Sequence, residues 1–257
     1  MLSQLKRAVI SVLPRVFVAQ YRHKRHVDEV AMMAALCGRG GVMVDVGAHH
    51  GGSTEQFLAL GWKVIAYEPD PNNRAKFIEA HGSNPSVQWS PDAISLKDGE
   101  KVQLFASDVS TGISGLSAFH PSHEPLAIVN TVRLDADLKR RGVEKVDFLK
   151  IDVEGFDFFA LQSFDWALHP RFAVYEFENN KTVPLGYTLD DSAAFMRGQG
   201  YHLLYSVWEP IVRYGTSHTW RGLYGDPPAD AAVCWGNVMC FRDHADMGRA
   251  EKLFAKR

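Results

Sequence analysis

The sequence predicts an α/β domain in which a mainly parallel sheet is covered by helices on both faces. The chain has 257 residues, of which 46% are hydrophobic and 23% charged, enough for one full hydrophobic core. Short apolar strands alternate with helical segments through most of the chain, and strands joined by helices usually lie parallel. A glycine-rich turn between the first strand and the next helix is typical of sheets that bind nucleotide-like ligands.

The first strand leads directly into that turn. Val42–Val46 consists largely of β-branched and apolar residues, as a buried parallel strand does. Residues 47–52 form the glycine-rich turn, and residues 53–60 predict an amphipathic helix capped by Ser53 or Thr54. Together the turn and the helix N-terminus are expected to present backbone N–H groups to a ligand.

The spacing within the turn differs from that of a dinucleotide-binding loop. It has Asp45-x-Gly47-x-x-x-Gly51 instead of G-x-G-x-x-G. The second strand, Lys63–Tyr67, is followed by Glu68, whose carboxylate can accept hydrogen bonds from both hydroxyls of a ribose. A ligand with a ribose and no pyrophosphate indicates S-adenosylmethionine. The alternatives are a nicotinamide-dependent oxidoreductase and a crossover whose glycines only permit a tight turn.

The remaining elements follow in chain order. Apolar residues at helical spacing predict helices over residues 26–37, 71–80, 135–141 and 188–196, and a further helix that ends at residue 161. Alternating or continuous apolar runs predict strands over residues 87–89, 101–106, 131–134, 146–151, 172–178, 202–207 and 236–241. Residues 107–125 and 208–235 lack a period, which predicts long loops near the ligand and the acceptor pocket.

Charge and cysteine content narrow the class of protein. A net charge of −2 argues against a general nucleic-acid binder. Cys37, Cys234 and Cys240 include no C-x-x-C pair, which favours a reduced, cytoplasmic protein with neither a disulfide framework nor a structural zinc site. No run of about 18 apolar residues is present, so no membrane-spanning segment is predicted.

Three stretches together resemble the FkbM family of methyltransferases: residues 44–51, residues 66–69, and the string Lys-Ile-Asp-Val-Glu-Gly at 150–155. The resemblance extends from about Val42 to Glu178. It implies a Rossmann-like class I methyltransferase fold, with a seven-stranded, mainly parallel sheet whose last strand is antiparallel. It also implies S-adenosylmethionine as methyl donor and an oxygen acceptor, a hydroxyl of a sugar, glycan, lipid or polyketide-type metabolite.

The resemblance also implies a set of cofactor-binding residues. From the methionine end to the adenine these are Asp45, Gly47, Ala48, Gly51, Glu68, Pro69, Asp92 and Ala93, with Asp152 beside the methyl group and the acceptor. The turn departs from the family at His49-His50, where an Asn and a small apolar residue are common. Asp92 has a second interpretation, because an Asp after a strand is also a common turn residue.

Methyl transfer to an aliphatic hydroxyl calls for a general base, because the hydroxyl is a poor nucleophile until it loses its proton. The catalytic candidates near the strand ends are Asp152, His49, His50, Glu154 and Glu176. Histidine has the best intrinsic pKa for the task, whereas Asp152 has the best predicted position. No metal is predicted, although the three acidic residues could supply oxygen ligands to magnesium or calcium.

The N-terminal residues are basic. Residues 1–26 contain six Lys and Arg and no acid, with apolar residues at helical spacing. Such a helix can lie on an anionic membrane surface, pack on the domain or on a second subunit of a homo-oligomer, or act as an organelle transit peptide. We therefore divide the chain into an N-terminal helical extension, residues 1–37, and a methyltransferase domain, residues 38–257. A catalytically inactive protein that docks through this extension is a further alternative.

Overall fold

The computed structural model describes residues 27–255, so the predicted basic helix within residues 1–26 lies outside the described residues. The strands in chain order are β1 (Val42–Val46), β2 (Lys63–Tyr67), β3 (Val87–Ser90), β4 (Ala93–Ile94), β5 (Lys101–Ser107), β6 (His123–Val132), β7 (Phe148–Ile151), β8 (Phe172–Glu178), β9 (His202–Trp208), β10 (Trp220–Tyr224) and β11 (Trp235–Phe241). The helices are α1 (Glu29–Cys37), α2 (Gly52–Leu58), α3 (Pro71–His81), α4 (Leu134–Arg140), α5 (Asp157–Ser163), α6 (Asn179–Thr182), α7 (Leu189–Gly198) and α8 (His244–Ala255), with 3₁₀ turns at Thr111–Ile113, Trp166–Leu168 and Val183–Leu185.

The central sheet has eight strands in the order β10-β9-β11-β8-β7-β1-β2-β3. The strands from β8 to β3 pair in parallel, and β11 runs antiparallel to both β8 and β9. The mainly parallel sheet and its antiparallel last strand are therefore confirmed. The predicted number of seven strands was one too few, because β10 adds an antiparallel edge next to β9.

A second, three-stranded sheet has the order β4-β6-β5. Its middle strand, β6, begins at His123, so the predicted loop over residues 107–125 is shorter than expected, and the predicted strand 131–134 is only the end of a longer one. Pro125 interrupts β6, and most of its residues up to Ile128 are exposed, so it lacks the pattern of a buried strand.

Helices cover both faces of the central sheet. On one face α1, α2 and α8 pack together, and the buried side chains of α1 (Met33, Ala34 and Leu36) belong to the core cluster formed with that face. On the other face α4, α5 and α7 bury Leu138, Leu161 and Met196. The division of the chain at residue 37 stays a prediction, and α1 contributes to the same core as the sheet.

The helix starts illustrate how local sequence fixes the elements. Asp70 caps α3 by accepting from the N–H of Asn72, and Pro71 occupies the first turn. The expected cap of α2 was wrong: its N-cap is Gly51, in the left-handed region with φ of 88°. Thr54 is fully buried, and its hydroxyl donates to Asp45 at 2.8 Å, so it is not available as a cap.

Candidate active site

A crevice of about 370 Å³ lies at the carboxyl ends of the central strands. Its lining includes the residues that follow β1, β2, β3 and β7, namely Gly47, Glu68, Asp92 and Asp152. Crevices of this size at the carboxyl edge of a parallel sheet are the usual sites of small-molecule ligands. The structure thus brings together the ends of the four strands on which the sequence placed the site.

The turn after β1 requires glycine at position 47. Gly47 has a φ of 78°, and a Cβ there would lie 1.9 Å from the carbonyl oxygen of Asp152. Side chains rarely adopt such a φ, and no atom fits at that distance. Gly47 therefore permits the close approach of the β1 and β7 ends.

The N–H groups of the turn are already used within the protein. Those of Gly47 and Ala48 donate to the carbonyl of Tyr67 at 2.9 and 3.0 Å, and that of His49 donates to Glu68 Oε2 at 2.7 Å. The expectation that these three residues offer N–H groups to a ligand was wrong, because the turn folds onto the end of β2.

Two residues of the turn that were predicted for the site, Gly51 and His50, do not line the crevice. The N–H of Gly51 donates to the carbonyl of Ala48, and a Cβ on Gly51 would lie 2.3 Å from the ring of His81. His50 stacks on His49 with 3.7 Å between ring centroids, and its Nε2 lies 3.0 Å from Asn73 Oδ1. The turn therefore directs Gly51 and His50 toward α3.

Glu68 is held at the crevice by its backbone neighbours. Its Oε2 accepts the N–H of His49, and its Oε1 accepts the N–H of Asp70 at 2.9 Å. Burial raises the pKa of this carboxyl to about 7. Because each carboxylate oxygen can accept more than one hydrogen bond, both oxygens can also accept from the hydroxyls of a ribose.

Pro69, Asp92 and Ala93 line the crevice on the far side of Glu68. Ser90 Oγ donates to Asp92 Oδ2 at 2.8 Å, and the Asp92 N–H lies 3.3 Å from the same hydroxyl. Asp92 thus stabilises a turn and also lines the crevice. These positions are compatible with both interpretations from the sequence, a turn residue and a cofactor-binding residue.

Asp45 lies behind the turn and not at the crevice. It is fully buried, and Lys150 Nζ lies 3.3 Å from its Oδ1. Lys150 also donates to the carbonyl of Gly47 at 2.7 Å and lies 3.6 Å from Asp152 Oδ2. Asp45 therefore positions Lys150, which in turn holds the β1 turn and the end of β7. We assign Asp45 this positioning role instead of the expected direct contact with the cofactor.

A buried lysine contacts the carboxylate of Glu154, which follows β7, and two carboxylates at the end of β8. Lys181 Nζ donates to Glu154 Oε2 at 2.6 Å and to Glu176 Oε2 at 2.9 Å, and it lies 2.8 Å from Glu178 Oε2. Glu154 lines the crevice, whereas Glu176 does not. Glu154 also has a φ of 57°, unusual for a residue other than glycine and a form of strain often found at functional sites.

The acid–base properties of the candidate bases differ with their surroundings. Burial raises the pKa of Glu154 to about 7, against the opposing effect of Lys181. Burial also raises the pKa of Glu176 well above its ordinary value. For His49, burial and the neighbouring His50 lower the pKa to about 4. The expectation that a histidine is best suited as the base is therefore not supported for His49.

The two predicted loops meet over this cluster. The ring of Phe119, in the first loop, lies 5.1 Å from Lys181 Nζ, and Tyr214, in the second, donates its hydroxyl to Glu178 Oε1 at 3.0 Å. The ring of His120 lies 5.2 Å from that of Tyr214. Residues 111–116 of the first loop, Ile113 excepted, line the crevice. Both loops therefore lie beside the candidate site.

The carboxylates of Asp152, Glu154 and Glu176 have oxygen atoms within 4.8 Å of one another. Lys181 donates to two of the three. Its ammonium supplies positive charge that a divalent cation would otherwise supply, so we assign no metal to these residues.

The sequence interpretation did not include four residues that line the crevice or belong to the Lys181 cluster: Glu29, Glu178, Lys181 and Asn237. One signal was present, because Glu178 and Lys181 are three residues apart just after a strand, a spacing that brings side chains together on a helix. Glu29 and Asn237 come from elements distant in sequence, and no local pattern brings them to the crevice.

The crevice is lined by many more acidic than basic side chains. Six carboxyl side chains line it, those of Glu29, Glu68, Asp70, Asp92, Asp152 and Glu154. Among the described residues that line it, Lys150 has the only cationic side chain, and its ammonium already contacts Gly47, Asp45 and Asp152. Such a lining suits a ligand that carries a positively charged sulfur and disfavours one that carries phosphates.

A profile of the methyltransferase FkbM domain matches residues 45–203, more than half of the chain. The chain belongs to the FkbM methyltransferase family. The crevice therefore belongs to a methyltransferase whose methyl donor is S-adenosylmethionine, on a Rossmann-like class I fold. The family match favours this cofactor over a nicotinamide dinucleotide.

Solved structures that resemble this FkbM methyltransferase are distant in sequence. They include precorrin-6y C5,15-methyltransferase from Geobacter metallireducens, with 12% identity, coverage of 86% of this chain and 92% of that chain, and a TM-score of 0.46. A TehB-like SAM-dependent methyltransferase from Corynebacterium glutamicum has 12% identity, coverage of 84% and 87%, and a TM-score of 0.40.

A putative RNA methyltransferase from Pyrococcus horikoshii has 10% identity, coverage of 88% and 92%, and a TM-score of 0.42. These likenesses do not bear on the methyl acceptor. Comparison with curated protein sequences gives no significant match. Within residues 27–255, no helix combines the length and the apolar character needed to cross a membrane.

Proposed function

We propose that this FkbM methyltransferase transfers the methyl group of S-adenosylmethionine to a hydroxyl oxygen of an uncharged sugar, glycan, lipid or polyketide-type metabolite. The observation that carries the proposal is Glu154, a carboxylate at the crevice whose pKa is raised to about 7. A general base works best when its pKa lies near the operating pH. A hydroxyl acceptor needs such a base.

Glu68 would accept hydrogen bonds from the ribose of the cofactor, and Asp92 with Ala93 would contact its adenine. Gly47 of the β1 turn and the carboxylate of Asp152 would hold its sulfonium end. When bound, S-adenosylmethionine supplies an electrophilic methyl group for in-line displacement. Alignment of the acceptor oxygen with that methyl group provides much of the catalysis.

Glu154 accepts the proton of the acceptor hydroxyl as the oxygen–carbon bond forms and the carbon–sulfur bond breaks. Asp152, whose side chain is 43% exposed, orients the hydroxyl from the end of β7. His50 and Glu176 do not line the crevice, and His49 is too weak a base at a pKa of about 4. Among the five catalytic candidates, Glu154 and Asp152 therefore keep a direct role in the proposal.

The acceptor atom is tested by transfer of a labelled methyl group. The full chain is incubated with [methyl-¹³C]S-adenosylmethionine and pooled neutral metabolites, and the product is analysed by ¹³C NMR. A methyl resonance in the region of methyl ethers is expected. A product labelled only on nitrogen or carbon would contradict the proposed O-methyl transfer, while leaving the family assignment intact.

The basic residues 1–26 support a separate proposal. We propose that they form part of an N-terminal extension, residues 1–37, which binds anionic membrane surfaces from the cytoplasmic side. Sedimentation with phosphatidylglycerol vesicles tests this: the full chain is expected to sediment with them, and a variant with the six basic residues replaced by Gln is not. Equal sedimentation of both would contradict the proposal.

A further inference from the structure

The crevice extends past the residues assigned to the cofactor to a second group of lining residues, which we call the acceptor arm. It is lined by Glu29 and Val30 at the start of α1, by Val174 on β8 and by Asn237 on β11. None of these residues belongs to the predicted cofactor site. The inference that follows rests on the proposed O-methyl transfer and concerns where the acceptor binds.

The position of the arm in the sheet separates it from the cofactor. The strand order runs β11-β8-β7-β1-β2, and neighbouring strands lie about 4.8 Å apart. Asn237 is thus about 14 Å along the edge from the β1 turn, three strand spacings of about 4.8 Å. The short aminoacyl chain of the cofactor cannot extend that far. Asp152, at the end of β7, lies between the two regions.

Glu29 gives the arm a fixed hydrogen-bond acceptor. Its Oε1 accepts from Ser206 Oγ at 2.6 Å and from Trp208 Nε1 at 2.7 Å, which holds the start of α1 against β9. The side chain is 6% exposed and still lines the crevice. A carboxylate anchored in this way has a defined orientation toward a ligand.

Asn237 gives the arm a free amide. It lies beside Ser206 and Glu176 in the register of β11 with its neighbours. Within residues 27–255, no side chain forms a hydrogen bond with the Asn237 amide, although the residue is half-buried. This group is therefore available to a ligand that can both donate and accept.

The arm lacks a cation that could bind an acidic ligand. Of the described residues lining the whole crevice, Lys150 alone is cationic, and its ammonium contacts the Gly47 carbonyl, Asp45 and Asp152. Asp152 would repel a phosphate or a carboxylate, and the carboxyl oxygens of Glu29 and Asp152 can accept hydrogen bonds from hydroxyls. Val30 and Val174 offer apolar contact to carbon atoms of the same ligand.

We infer that the acceptor arm, with Asn237 and Glu29 as its specificity-determining residues, binds an uncharged, hydroxyl-bearing group and excludes anionic acceptors. The non-reacting hydroxyls contact Asn237 and Glu29. The reacting hydroxyl lies toward β7, next to Asp152 and Glu154.

The test uses the full chain, [methyl-³H]S-adenosylmethionine and a set of sugar probes. The neutral probes are methyl glycosides of the common hexoses, and the anionic probes are the 6-phosphates and uronic acids of the same sugars. Transfer to at least one neutral glycoside is expected, at a kcat/KM at least about tenfold above that of its anionic counterparts. Equal or faster transfer to anionic probes, preferential transfer to amino sugars, or no transfer to any neutral glycoside would overturn the inference.

A substitution of Asn237 tests whether the acceptor arm binds the acceptor. Asn237→Leu is expected to raise the acceptor KM about tenfold, the effect of losing one hydrogen bond, while the affinity for S-adenosylhomocysteine stays within about twofold. Asn130→Leu, on the exposed part of β6, serves as the matched control and should change neither. An unchanged acceptor KM in Asn237→Leu would overturn the role of the arm. Failure of the wild-type chain to bind S-adenosylhomocysteine would instead reject the proposed function.

Discussion

At the scale of single residues, the pKa of the proposed base depends on one lysine surrounded by carboxylates. Lys181 is 2% exposed and lies within 3 Å of Glu154, Glu176 and Glu178. A buried ammonium favours the ionised form of nearby carboxylates, whereas burial and like charges favour the protonated form. The balance leaves Glu154 with a pKa of about 7, which suits a base that must both accept and release a proton.

Glu154→Gln is expected to lower kcat by about 10²- to 10⁴-fold, the usual contribution of general base catalysis. The side chain keeps its size but cannot accept a proton. Affinity for S-adenosylhomocysteine should stay within about twofold, since Glu154 is not assigned to the adenosine or the aminoacyl end. Steady-state kinetics and calorimetry measure the two effects, with the exposed Glu79→Gln as control. A kcat within threefold of wild type would remove Glu154 from the mechanism.

The pH dependence of kcat separates a positioning role of Lys181 from a structural one. Because Lys181 lowers the pKa of Glu154 and Glu178 raises it, the substitutions have opposite effects. In Lys181→Met the acidic limb of the kcat profile should move to higher pH, and in Glu178→Gln it should move to lower pH, each by about one unit or less. Shifts in the same direction, or none, would mean that the cluster only stabilises the fold.

The sequence predicted part of this site and missed the rest for a definable reason. Glu68, Asp152 and Glu154 were predictable because each follows a buried strand, and strand ends meet at one edge of a parallel sheet. The contacts of Lys181 depend on the short helix α6 turning back over β8. Side chains brought together by such a turn leave no periodic pattern in the sequence.

At the scale of elements, burial decided which strands could be predicted. The bounds of β1, β2 and β8 agree with the sequence interpretation to the residue, because strands covered on both faces are continuously apolar. β6 and β10 were missed or shortened. Leu126 and Ile128 of β6 are exposed, and β10 pairs with β9 through an irregular register at Gly222, so neither has the pattern of a buried strand.

The junction between β1 and β7 gives a test at this scale. In Gly47→Ala the new methyl group would overlap the Asp152 carbonyl in a backbone conformation that disfavours side chains. We expect the free energy of unfolding to fall by about 2 kcal/mol or more and binding of S-adenosylhomocysteine to be lost. Urea unfolding measures the first effect, and Gly99→Ala, where nothing lies within 4 Å of an added Cβ and φ is also positive, controls for backbone strain alone. Equal losses in both variants would contradict the close approach.

At the scale of the whole molecule, the distribution of acidic side chains indicates which ligands the crevice suits. The chain as a whole is nearly neutral, with a net charge of −2, yet the carboxyl edge of its sheet concentrates six carboxyl side chains in one crevice. The composition alone could not predict this asymmetry, because it arises from the strand ends, α1 and the loops meeting in three dimensions. It suits a cationic methyl donor.

The most direct test of the account is the affinity of the full chain for S-adenosylhomocysteine, measured by titration calorimetry for wild type, Glu68→Ala and the exposed control Glu79→Ala at pH 8 and pH 6. Glu68 binds the ribose as a carboxylate, and its pKa is about 7. We therefore expect wild type and control to bind alike, more tightly at pH 8 than at pH 6, and Glu68→Ala to bind at least about tenfold more weakly. Unchanged affinity in a folded Glu68→Ala variant would contradict the assigned cofactor site.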